Sequence, residues 1–111
     1  VLVASEPFPL IATDFYQILE TSDLPAGVVN VLTGPHNDLV GPIAGHLNLD
    51  AVWSFSSSDL SAKIEAASAG HLKRTWVNNR QACDWFDPTN EGRHFLAAAT
   101  EVKTIWVPYG E

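Results

Sequence analysis

A chain of 111 residues fits one small domain, and 46% hydrophobic content with five Phe, four Trp and two Tyr is enough for a buried core, which excludes a disordered tail. Thirteen acidic residues against six basic ones give a net charge of −7, a balance that repels phosphate backbones and argues against a nucleic-acid partner. No apolar run approaches the ~20 residues of a membrane span, and the single cysteine cannot form an internal disulfide, which fits a reducing, cytoplasmic setting.

The opening VLVASEPFPLIA has no initiator Met, no basic region and no small-residue cleavage site, so it does not read as a signal peptide. A chain that opens inside an apolar strand, in a sequence without Met, is expected to be a fragment of a longer polypeptide. Val1 to Ala4 is a β-favouring run closed by Ser5, Glu6 and Pro7. Ile11, Phe15, Ile18 and Leu19 then recur as one helical stripe within Pro9 to Thr21, with Pro9 suited to the first turn. After the connector DLPAG, Val28 to Leu32 reads as a second strand, apolar on both faces as helix-covered parallel strands are.

TGPHNDLVGPIAGHL predicts a turn at Gly34 and a short helix that begins late, with Pro42 near its N-terminus. Asp50 to Phe55 is a third strand. Ser57 to Ser61 offer N-caps for a helix bearing Leu60, Ile64 and Ala67, stopped at Gly70. LKRTWVN is a fourth strand, Asn79 to Asn90 an irregular loop, EGRHFLAAAT a helix, and VKTIWV a closing strand. Alternating strands and helices predict an α/β sandwich of three layers around a mostly parallel, Rossmann-like sheet of four or five strands. No G-x-G-x-x-G follows the first strand, so composition and periodicity by themselves stop at an α/β domain.

The segments SEPFPL, LPAGVVNVLTGP, LDAVWSFSSSD and AASAGHLKR, in that order, resemble the cofactor-binding domain of the aldehyde dehydrogenase superfamily. The ending TEVKTIWVPYGE is similar to that family's C-terminal strand, which takes part in subunit association. The resemblance implies a single domain over 1–111. Its cofactor-domain-like part is 1–78, an irregular loop and helix occupy 79–100, and an association strand occupies 101–111, with Val102, Ile105, Trp106 and Val107 at an interface. It also implies NAD(P) as the possible cofactor and the rest of a parent chain or a second copy as partner, with a homo-oligomer expected.

The same comparison locates losses. The family's ribose-holding lysine falls on Val3, while its neighbouring glutamate is kept as Glu6. The turn near the pyrophosphate keeps only Ser57, with Ser56 where a glycine belongs, and Gly34 remains after the second strand. The glutamate that serves as general base falls on Asn78, whose amide cannot take up a proton, and Asn79-Arg80 replaces a glycine-bearing turn. Active relatives attack the aldehyde with a cysteine thiolate and pass hydride to the nicotinamide. Cys83 lies only five residues after Asn78 and beside Asp84, a carboxylate that works against a thiolate, so it is expected to be a bystander. With no catalytic residue assigned, Glu6, Gly34 and Ser57 are vestigial cofactor positions. The expected function is a non-catalytic, structural domain of a larger aldehyde dehydrogenase, the alternative being a piece of an active NAD(P)-dependent enzyme whose cysteine lies elsewhere.

Other groups read blandly. His36, His46, His71 and His94 are spread as surface or loop histidines and build no metal site with Cys83. Asp84 and Asp87 beside Pro88 are turn caps. Trp53 and Trp76 cover the sheet from within strands, whereas Trp106 divides evenly between an interface and internal packing.

Overall fold

Apolar strands alternate with helices from Leu2 onward in the computed structural model, which describes residues 1–78 and 83–110. β1 (Leu2–Val3) leads to α1 (Ile11–Glu20), β2 (Val31–Leu32), α2 (His36–Gly45), β3 (Ala51–Ser54), α3 (Ser58–Ser68) and β4 (Arg74–Val77). A 3₁₀ turn over Pro88–Asn90 and α4 (Arg93–Ala99) follow. The class is α/β with parallel pairing throughout the described residues, as expected, but there is no single sheet. β1 pairs with β2 and β3 with β4, in two separate two-stranded sheets.

The core sits between α2, α3 and the β3–β4 pair. Ala44, Val52 and Ile64 are buried together, with Val40, Ile43, Ala67 and Val77 packed around them. Small residues let the two helices approach: Ala44 and Ser61 are wholly inaccessible, and Ser68 lends its hydroxyl to the Ala44 carbonyl at 3.5 Å. Lys73 fastens the end of α2, its Nζ donating to the carbonyls of Ala44 at 2.5 Å and His46 at 2.8 Å, where a cation also suits the helix dipole.

On β3 and β4 successive side chains alternate faces. Val52 and Val77 meet the helices, while Trp53, Phe55 and Trp76 face the other way. Trp53 and Trp76, opposite each other in the register, meet edge to face at 5.2 Å. Phe95 of α4 packs on Trp76 at 5.1 Å, and Trp85 on Phe55 at 5.0 Å.

Four expectations change. The second strand begins only at Val31, because Gly27 turns the chain at φ 85° and Asn30 closes that turn on the Gly27 carbonyl at 2.9 Å. α2 begins at His36 and runs through Pro42, whose missing N–H falls on the exposed side of the helix while Ala44 is buried on the other. The buried face of α1 is Ala12 with half-buried Phe15 and Leu19, whereas Ile11 and Ile18 are over 60% exposed, at 63% and 62%. The closing strand is not formed: residues 101–110 have no regular structure, since a strand needs a partner edge and none among the described residues pairs with them.

Ser61 Oγ is buried without a hydrogen-bond partner. Ser61→Ala is therefore expected to stabilise the fold by about 1 kcal/mol, whereas Ile64→Ala, which empties the core, should destabilise it by about 3 kcal/mol. Urea unfolding midpoints of the two variants would move in opposite directions.

Candidate functional site

In open α/β sheets ligands gather at the carboxyl ends of the strands, beside helix N-termini whose free N–H groups attract anions. Those ends here are Ser5–Glu6 after β1, Gly34–His36 after β2, Phe55–Ser57 after β3 and Asn78 after β4. The chain's own side chains already occupy them. Glu6 Oε2 accepts from the backbone N–H of His36 at 3.2 Å, across thirty residues, and so places a carboxylate on the first turn of α2. His36 Nε2 lies 2.8 Å from the Ala4 carbonyl, a second tie between the end of β1 and the start of α2.

Gly34, between them, holds φ 155°, a backbone that L side chains rarely adopt, while a Cβ there would make only ordinary contact with Leu39 at 3.5 Å. At α3 the Ser57 hydroxyl accepts from Leu60 N at 3.4 Å as an N-cap. Ser56 bonds its hydroxyl to that of Ser54 at 2.6 Å, so the position expected to carry a glycine carries a satisfied side chain instead. Asn78 continues the ladder, its N–H donating to the Ser54 carbonyl at 2.9 Å.

The structure thus brings Glu6 and Gly34 together at α2 and puts Ser57 apart, at α3. Ser5, His36, Ser54 and Ser56 share the rim of a cleft of about 800 Å³. Glu6, Gly34 and Ser57 are not among its lining residues. A dinucleotide does not fit the strand ends as they stand: Ser56 fills the position expected to carry a glycine, the Ser57 hydroxyl is spent on α3, and Val3 offers no cation.

Cys83 is half-buried and unbridged, and among the described residues no three His, Cys, Asp or Glu side chains gather to hold a metal. Asn79 and Arg80, expected to replace a family turn, lie outside the described residues. Asp84 Oδ1 accepts from Phe86 N at 3.0 Å and Asp87 Oδ1 from Thr89 N at 2.8 Å, so both acids cap turns. His36 was missed as a structural residue by sequence reasoning, although its place directly after T-G-P, at a helix start, could have pointed to it. The aromatic cluster was missed as a unit, and its trace was Trp53 and Phe55 two apart on a strand with Trp76 on the next.

Residues 1–79 match the aldehyde dehydrogenase family. The chain is 36% identical over 73 residues to a chloroplastic betaine aldehyde dehydrogenase of Atriplex hortensis, covering 66% of this chain and 14% of that protein. It is 32% identical over 74 residues to malonate-semialdehyde dehydrogenase 3 of Geobacillus kaustophilus, covering 67% and 15%, and 33% identical over 73 residues to a chloroplastic betaine aldehyde dehydrogenase of Beta vulgaris, covering 66% and 15%. No solved structure matches. The chain belongs to the aldehyde dehydrogenase family. It spans about one seventh of the length of the relatives it matches, 14% and 15% of them. The family match ends at residue 79, so the likeness of the last twelve residues to the family's closing strand stands outside it.

Hydrogen bonds from the Thr89 backbone, then from its hydroxyl, hold the Asp87 carboxyl below its ordinary value. A lowered folded-state value means the cap is fully present above the ordinary value of 3.8 and is lost as pH falls through the lower one. The Thr89 amide resonance should accordingly report a transition below pH 3.8. Asp87→Asn should abolish it.

Proposed function

We propose that this chain is a non-catalytic aldehyde-dehydrogenase-like module, the C-terminal part of a larger protein of that family, serving structure and subunit association. The observation that carries the proposal is Ser56, whose hydroxyl, bonded to that of Ser54 at 2.6 Å, stands where the family's turn near the pyrophosphate has a glycine. A side chain at that position crowds a backbone that the cofactor approaches closely in the family. Val3 in place of a lysine and Asn78 in place of a general base point the same way.

Association is supported by surface that folding leaves uncovered. Val102, Ile105, Trp106 and Val107 are exposed by 92%, 82%, 86% and 66%, a density of large apolar groups that water disfavours and that suits a buried contact. The segment is rich in β-branched residues, so it is ready to act as a strand once an edge is supplied. Phe8, Leu10, Ile11 and Ile18 expose a further apolar stretch on and around α1, as expected of a module that packs against more protein.

Isothermal titration with NAD and with NADP is expected to show no binding, and micromolar affinity for either would overturn the non-catalytic reading. Sedimentation of the 111-residue chain is expected to give a self-associated species. Truncation before Glu101, or Trp106→Ala, should shift it toward monomer, and identical monomers in every case would remove the association role.

A further inference from the structure

The outer edge of β4 is open. Arg74 N donates to Asp50 O at 3.0 Å and Asn78 N to Ser54 O at 2.9 Å, so alternate residues of β4 face β3. The backbone N–H and C=O groups of Thr75 and Val77, which lie between them, therefore point the other way. No strand among the described residues pairs with that side. Thr75 is exposed, and Leu72, just before the strand, is fully so, which leaves an apolar side chain beside unsatisfied backbone groups.

The segment suited to such an edge starts next to it. Arg74 Nη1 donates to the Thr100 carbonyl at 2.7 Å, so the chain leaving α4 is pinned at the N-terminal end of β4. Beyond it Val102, Ile105, Trp106 and Val107 are exposed, in a segment rich in β-branched residues. The tail nevertheless does not pair with its own β4, and the handedness of the connections supplies the reason. α3, which joins β3 to β4, packs through Ile64 on the face that carries Val77. α4, which would join β4 to the tail, packs through Phe95 on Trp76, on the opposite face. A tail that left Thr100 and ran along its own β4 would make a second parallel β–α–β unit, stepping the same way as the first but over the other face of the sheet. One of the two crossovers would then be left-handed, and about 98% of such units are right-handed.

A second copy is free of this restriction, because its tail reaches the edge without a crossover from that strand. We infer that the outer edge of β4 is the seat of the C-terminal segment, residues 101–110, of a second copy of this chain. The backbone groups of Thr75 and Val77 bond to the incoming strand, and Leu72 lies against its apolar side chains. Each copy carries both the edge and the tail, so a reciprocal exchange about a two-fold axis uses both and closes as a dimer. The inference rests on the association role proposed above and names the surface that receives the tail.

Hydrogen exchange read amide by amide tests it, on the 111-residue chain at a concentration where it self-associates and again after dilution. The amides of Thr75 and Val77 should exchange at least ~10-fold more slowly in the associated sample. Those of Arg74 and Asn78, bonded to β3, serve as references. Thr75→Pro removes an N–H that faces outward, a change an edge strand tolerates. It should keep the protection of Arg74 and Asn78 and sediment as a monomer, whereas Thr75→Val, which keeps the N–H, should sediment as a dimer. The exchange of the unsubstituted chain stands as a readout even if Thr75→Pro does not fold. Self-association with Thr75 and Val77 exchanging alike at both concentrations overturns the inference and leaves the association role standing, the tails then meeting each other. Protection that dilution does not relieve also overturns it, since the chain's own tail would then hold the edge. A chain monomeric at every concentration removes the inference together with the association role.

Discussion

The close contact of α2 with α3, made through Ala44, Ser61 and Ser68, is the constraint on which the rest of the structure depends. Larger side chains at these positions would hold the helices apart and leave Ile64 and Val52 without neighbours. Because the helices do meet, they form a floor on which β3 and β4 lie, and Lys73 can reach back to the end of α2. Burying Ile64 contributes about 2 kcal/mol, and the tie at Lys73 fixes which end of α2 faces the strand that follows α3.

The orientation of α2 in turn determines the fate of the strand ends. Its N-terminus arrives beside Glu6, whose carboxylate accepts from the His36 N–H across thirty residues. His36 and the Ala4 carbonyl complete a joint between the β1–β2 half and the rest of the molecule. Around Asp84 and Asp87 the carboxylates likewise close turns.

Folding leaves apolar surface uncovered. Two half-sheets with free edges, an uncovered side of α1 and an unpaired apolar terminus each leave groups that folding normally satisfies. A small chain can bury only part of what it exposes when unfolded, and here the helices cover one face of β3 and β4 while α4 and Trp85 cover the other.

The sequence by itself determined the alternation of strands and helices, the face of α3 carrying Ile64, the turn-capping acids and the family, because each is written in local periodicity, in turn chemistry or in a motif of neighbouring residues. It did not reveal where α2 begins, since the carboxylate that caps that helix lies thirty residues away. It misplaced the buried face of α1, where Ile11 and Ile18 satisfy the helical period but stay largely exposed, and Ala12 is buried instead. Only the tertiary structure decided that VKTIWV stays unpaired and that the sheet is split in two. Pairing is a property of edges brought together in space, and a strand's propensity says nothing about whether its partner is present.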